Sequence, residues 1–390
     1  MPVTEPRTRT DLPRARRVVV KVGSSSLTGA DGHLDVPALE ALVTVLASAR
    51  RAGQQVVLVS SGAIAAGIGP IGLAARPRDL ATAQATASVG QGLLVARYTE
   101  AFGMHGLRVG QVLLTAGDLV RRQHYANAQR ALERLLALGV VPVVNENDTV
   151  ATDEIRFGDN DRLAALVSHL VRADALVLLT DVDGLYDGPP ARAGSRPVRE
   201  VRSAADLADV EVTGRGSDIG TGGMVTKLDA ASIATGSGIP VLLTSAPNAA
   251  RALAGEEVGT WFAATGRRTS ARRLWLAHAA QVRGRLHLDA GAARAVTDGK
   301  RSLLAAGVTG VEGDFEPGDA VELVGPDGVV ARGLVAYGST ELPDMLGKSS
   351  AQLRQDGENL PRAVVHRDDL AQLSVHVRRE RRRGRFSRGS

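Results

Sequence analysis

Cysteine is absent from this 390-residue chain, and aromatic residues make up only 3% of it. The first absence excludes a disulfide framework, thiolate metal sites and cysteine catalysis. Long apolar runs are missing too. No segment approaches the roughly 18 uninterrupted apolar residues of a membrane span, and residues 1–20 (MPVTEPRTRTDLPRARRVVV) lack the apolar centre of a signal peptide. A soluble, cytoplasmic protein with no membrane contact is expected. The eight histidines form neither a triad-like setting nor a pair at metal-ligand spacing, so no residue is assigned to a metal.

Lysine is scarce as well. Of 47 basic residues only Lys21, Lys227, Lys300 and Lys348 are lysines. Arginine has taken nearly every place where positive charge alone suffices, so a lysine that remains can mark a need for a compact point charge that a planar guanidinium cannot mimic. The net charge of +5 belongs to one end of the chain: residues 378–390 hold seven Arg and one Glu, which leaves −1 for residues 1–377. This Arg-rich tail has no hydrophobic periodicity and reads as a solvated extension, with polyanion contact as the alternative.

The length suits about two domains. In the first, short β-branched runs alternate with longer Ala/Leu-rich stretches. Residues 17–22, 55–60, 107–114, 140–145, 175–180 and 239–244 read as buried strands; residues 35–51, 79–103, 126–138, 160–172 and 223–235 read as helices, the first capped by Asp35 with Pro37 in its first turn. Continuously apolar strands alternating with helices mean an α/β fold with a mostly parallel sheet covered on both faces, whose ligands lie at the carboxyl ends of the strands. After residue 262 the rhythm changes to short runs punctuated by turns. Residues 321–324 and 329–335 read as a β-hairpin in a small β-rich second domain.

Five glycine-rich or acidic turns carry the chemistry. A strand delivers Lys21 into Gly23, Ser24, Ser25 and Ser26, where backbone N–H groups and hydroxyls can nest phosphate oxygens; a lysine among buried valines must otherwise pair or lose solvation at a cost. Ser60-Ser61-Gly62 runs into a helix of small residues whose N-terminus suits an anion. Asn145-Glu146-Asn147-Asp148-Thr149 and Phe157-Gly158-Asp159-Asn160-Asp161 form two acid-amide groups, more than one helix cap requires; they can hold an amino group, order a lysine or help bind Mg²⁺. Thr180-Asp181-Val182-Asp183 is an acidic loop after a strand. Gly220-Thr221-Gly222-Gly223-Met224-Val225-Thr226-Lys227 opens a helix and reads as a polyphosphate cradle. Two weaker matches fail: Gly67-Ile68-Gly69-Pro70-Ile71-Gly72 does not directly follow a strand, and Leu342 occupies the first glycine position of a Walker-like loop ending Gly347-Lys348-Ser349. Together these features point to phosphoryl transfer, in which catalysis is mainly positioning and cationic stabilisation.

The ordered motifs VVVKVGSS, SSGAIAAG, PVVNENDTVAT, FGDNDRLAALVS, LLTDVDGLY and GTGGMVTKLDAA resemble the amino acid kinase superfamily, and within it the glutamate 5-kinase family. The β-rich segment resembles a PUA domain. The resemblance implies a three-layer αβα sandwich over residues 14–262 behind an extension of residues 1–13, then a linker over 263–280, the PUA-like domain over 281–365 and the tail over 366–390. It implies ATP and Mg²⁺ as cofactors and L-glutamate as substrate, with proline as feedback inhibitor and a homo-oligomer, dimer or tetramer. Carried over by motif, Lys21, Lys227 and Asp161 would be catalytic, Asp161 organising the two lysines. Ser61, Asp148 and Asn160 would bind glutamate. Lys21, Gly23, Ser24, Thr180, Asp181, Thr221, Gly222, Gly223, Met224, Val225, Thr226 and Lys227 would hold the nucleotide.

The alternatives are an acetylglutamate or aspartate kinase, which shares the nucleotide side, and an RNA-binding protein acting through the PUA-like domain. The near-neutral body and the scarcity of aromatics for base stacking argue against RNA as the main ligand.

Overall fold

The computed structural model describes residues 6–29, 32–115, 118–119, 122–150, 160–192, 194–208, 210–211, 223–266, 276, 282–298, 301–355 and 363–372. The chain divides into two units, residues 1–271 and 272–390.

The first unit is built on β1 (Arg17–Val22), α1 (Val36–Arg51), β2 (Gln55–Ser60), α2 (Ala63–Ile68), α3 (Leu80–Gly103), β3 (Val109–Leu114), α4 (Arg122–Ala137), β4 (Val141–Glu146), α5 (Asn160–Leu170) and β5 (Ala175–Thr180). After β5 come β6 (Leu185–Tyr186), β7 (Pro197–Val198), β8 (Glu200–Val201), α6 (Met224–Gly236), β9 (Val241–Ser245), α7 (Ala249–Leu253) and β10 (Thr260–Phe262). Eight strands form one sheet in the order β3-β4-β2-β1-β5-β9-β10-β8, parallel throughout except for the β9/β10 pair. Helices cover both faces, as the apolar strands require: this is the three-layer α/β fold expected.

Four helices end alike. After α1, α3, α4 and α6 a glycine of positive φ (Gly53, Gly106, Gly139, Gly238) lets the next amide turn back to a carbonyl five residues earlier, as in Leu107 N–H to Phe102 O and Ile239 N–H to Ala234 O at 3.0 Å. These returns explain why three strands start later than the sequence suggests, at Val109, Val141 and Val241. The amides of Leu107, Val140 and Ile239 close the preceding helices instead of joining the sheet. Asp35 caps α1, accepting from Ala38 N–H at 2.9 Å.

β1 lies where the strand order reverses, with β2 leading to one edge and β5 to the other, which opens a crevice at the carboxyl ends of the strands. Val18, Val20 and Val22 pack into a core with Leu39 and Leu46 of α1 and Leu94 and Phe102 of α3. Alternation along the strand turns Lys21 to the opposite face, toward α5. Each buried valine of β1 contributes about 1.5–3 kcal/mol, which offsets the cost of drawing the lysine out of water.

The second unit has β11 (Val282–Leu288), α8 (Ala290–Thr297), β12 (Val308–Gly313), β13 (Ala320–Gly325), β14 (Gly328–Val335), α9 (Ser350–Gln355) and β15 (Val365–Gln372). Its five-stranded sheet runs β12-β11-β13-β14-β15 over a core that includes Leu286, Val321, Leu323 and Phe315. The expected hairpin is β13 and β14, closed by Gly325 opposite Gly328. β15 pairs with β14 as far as Gln372, past the boundary at 365 drawn from the sequence. The polar run His366-Arg367-Asp368-Asp369 hides this strand by separating its buried residues Val365, Leu370 and Ala371. No helix among the described residues is long and apolar enough to cross a membrane.

Candidate active site

The phosphate side is built from three elements meeting at one carboxylate. Lys21 at the end of β1 places Nζ 2.5 Å from Asp161 Oδ1, and Lys227 in the first turn of α6 places Nζ 3.2 Å from Asp161 Oδ2. Thr226 donates its hydroxyl to the same Oδ2 at 3.0 Å and also to Gly223 O. Asp161 is fully buried, and both lysines are nearly so. Burial on its own would raise the Asp161 carboxyl, but the ammoniums of Lys21 and Lys227 outweigh it and hold the group below the usual aspartate range. Two ammoniums against one carboxylate leave the cluster one positive charge in excess, a setting suited to an anion in a low dielectric.

Of the remaining nucleotide-side residues expected from the sequence, those described sit on the elements that carry this cluster or on the neighbouring strand. Gly23 follows β1, and a Cβ at this position would stand 3.6 Å from Lys21 Nζ. Ser24 opens one 3₁₀ turn. Thr180 ends β5, next to β1 in the sheet, and its hydroxyl donates to Asp181 Oδ1 at 2.8 Å. Gly223 precedes α6, which opens with Met224, Val225 and Thr226. Thr221 and Gly222 lie outside the described residues.

The second side is a network of amides and hydroxyls at the ends of β2 and β4. Asn160 Nδ2 donates to Ser60 O at 2.8 Å, Ser61 Oγ at 3.0 Å and Asn145 Oδ1 at 2.7 Å. Its hydrogens are therefore committed to the protein, while its buried Oδ1 meets no donor. Ser61 accepts from Asn160, so its own O–H is left to donate. Gly62, at φ +103°, turns the chain from β2 into α2 in a conformation that favours glycine. Asp148 stands half-buried in the turn after β4, where Val150 N–H bonds Asn147 O.

Sequence reasoning missed the residues that hold this network from behind. Gln91 of α3 accepts from Asn145 Nδ2 at 2.6 Å, and Tyr98, two turns on, bonds Ser60 Oγ at 2.8 Å. Burial raises the Tyr98 phenol far above its ordinary value and keeps it neutral. A signal existed: Gln91 and Tyr98 share the helical spacing of the buried Ala83, Ala87, Gly90 and Leu94. α3 comes this close because Gly90 and Gly67 meet backbone to backbone. A Cβ on Gly90 would lie 1.8 Å from Ala63 O and 2.4 Å from Gly67 N.

A carboxylate bridging two strand- and helix-borne lysines, beside a buried network of amides and hydroxyls at a sheet switch point, is the arrangement of a phosphotransferase. Residues 16–245 match the amino acid kinase family and residues 284–356 match the PUA domain. The chain belongs to the amino acid kinase family, and within it to the glutamate 5-kinases. Glutamate 5-kinase of Streptomyces coelicolor is 62% identical over 92% of this chain and 97% of its own length. That of Frankia casuarinae is 62% identical over the same shares. That of Thermobifida fusca is 58% identical over 94% of this chain and 96% of its own.

Proposed function

We infer that the chain transfers the γ-phosphoryl group of ATP to the side-chain carboxylate of L-glutamate, giving ADP and L-glutamyl 5-phosphate, the first step of proline biosynthesis. The observation that carries this reading is the start of α5, where Asp161 binds two lysines and the adjoining Asn160 binds Ser61.

A side-chain oxygen of glutamate attacks the γ-phosphorus, the bond to the bridging oxygen breaks, and its electron pair leaves with ADP. The acceptor is ionised at neutral pH and needs no general base. Lys21 and Lys227 neutralise charge on the transferring group and leaving phosphate, and Asp161 sets their positions. Ser61 donates to a substrate carboxylate oxygen, while Asp148 and the Asn160 Oδ1 accept from the α-ammonium. Gly23, Ser24, Thr180, Asp181 and the segment from Thr221 to Lys227 hold the nucleotide. Asp161 is engaged by two lysines, and no cluster of three or more His, Asp or Glu able to hold a metal forms among the described residues, so the nucleotide's own phosphates would carry the Mg²⁺. When bound, it neutralises the β- and γ-phosphates.

The test is an ATP-dependent hydroxamate assay with L-glutamate, L-aspartate and N-acetyl-L-glutamate. Product with glutamate alone is expected; product with either rival and none with glutamate would overturn the substrate. Proline inhibition and a dimeric or tetrameric state belong to the same reading, checked by titrating proline into this assay and by light scattering.

A further inference from the structure

We propose that Gln91 is a positioning residue for the acceptor substrate: through Asn145 it fixes the amide of Asn160 that faces that substrate. The proposal rests on the reading of Ser61 and Asn160 as the acceptor side of the site.

The chain of contacts is short and buried. Gln91 Oε1 accepts from Asn145 Nδ2 at 2.6 Å; Asn145 Oδ1 accepts from Asn160 Nδ2 at 2.7 Å and from Glu146 N–H at 2.9 Å. Relative exposures are 9%, 2% and 8% for Gln91, Asn145 and Asn160. Both ends of Asn145 are thus spoken for, with its NH₂ toward α3 and its oxygen toward α5. Turning it over would set donor against donor at Asn160 and at Glu146 N–H, and acceptor against acceptor at Gln91. Together with the bonds from Asn160 Nδ2 to Ser60 O and Ser61 Oγ, the consequence at the far end is that Asn160 spends its hydrogens on the protein and presents only an acceptor.

Two further observations separate this from ordinary packing. Gln91 Nε2 is buried and has no acceptor, so the position retains a donor that packing does not use. A leucine or methionine there would fill the same helix face without burying an unpaired donor, so the Oε1 contact to Asn145 is what glutamine adds. The neighbouring Gly90 brings α3 against the backbone of α2, the helix that follows Ser61. The group that orients Asn145 is therefore referenced to the same short segment that carries Ser61.

The experiment measures steady-state constants for Gln91→Met, which removes the acceptor while keeping volume, and Gln91→Glu, which keeps a carbonyl oxygen toward Asn145. With whichever acceptor yields hydroxamate, Gln91→Met is expected to raise the acceptor KM about tenfold, the scale of one buried hydrogen bond, and to leave the ATP KM within about twofold. Gln91→Glu is expected to recover most of that loss. Using the acceptor that works keeps this test apart from the identity of the substrate. An unchanged acceptor KM in Gln91→Met, or equal rises in both KM values, would overturn the proposal. A cycle with Asn145→Ala gives the independent check: in that background Gln91→Met should have no further effect on the acceptor KM, and fully additive effects would count against the relay.

Discussion

Lys21 and Lys227, 206 positions apart in the chain, meet at opposite oxygens of one buried carboxylate. Each ammonium is fixed by Asp161 and still has donors to spare, since a lysine carries three and Asp161 takes one. A guanidinium would bring a planar fork to a place shaped for a point charge. We expect Lys227→Arg to lower kcat at least about a hundredfold, roughly 2.7 kcal/mol of transition-state stabilisation, with folding unchanged by circular dichroism. Turnover near wild type would remove this lysine from the chemistry.

Asp161→Asn should damage stability as well as rate. The substitution leaves two neighbouring buried ammoniums without their shared counter-ion, a change of about 3–5 kcal/mol by the measure of broken buried pairs. The pH dependence follows from the direction of the shift. The folded carboxyl titrates below the unfolded one, so its contribution is full above about pH 5 and is lost as pH falls through the folded value. Urea midpoints of wild type and variant should differ by a constant amount from pH 5 to 7 and converge in more acid solution. A gap that widens on acidification would contradict the assignment.

Gly90→Ala tests the approach of α3 to α2. With Ala63 O only 1.8 Å from the new methyl carbon, the backbones must separate, and Gln91 and Tyr98 move with α3. A loss of about 3 kcal/mol or more is expected in denaturant titration, at the upper end of overpacking costs, together with a raised KM for the acceptor. A neutral substitution would mean that the crossing is looser than these distances state.

The second unit offers a separate test. Glu312, Arg285, Glu322 and Arg332 stand opposite one another across β12, β11, β13 and β14, a charge ladder with the fully buried Glu322 between two arginines. Glu322→Ala should destabilise this unit by about 3–5 kcal/mol, seen as an earlier thermal transition. The expected kcat at 25 °C stays within about twofold. An unchanged melting profile would show the ladder to be dispensable.

Much of the site was legible because its residues break the rules of their surroundings. Lys21 is a charge in an apolar strand, Asn160 and Asp161 begin a helix with more polar groups than a cap needs, and Lys227 follows a glycine-rich run of sequence. Gln91 and Tyr98 were missed for the opposite reason, because their helical spacing was the sole signal they gave. α3 is rich in Ala and Gly on every side, so its sequence has no polar face against which a buried glutamine stands out. The mostly parallel sheet followed from the alternation of strands and helices, but the antiparallel β10 and the two-residue β8 are too short to carry a periodic signal. β15 escaped because a run of polar and charged residues interrupts its apolar positions.

Asn160 and Asp161 are consecutive residues, one bonded into the amide network around Ser61 and Asn145 and the other into the lysine cluster. Their α-carbons are held about 3.8 Å apart by a single peptide unit. A displacement of the start of α5 therefore moves both side chains together, and a substitution that shifts it should disturb the amide network and the lysine cluster at once.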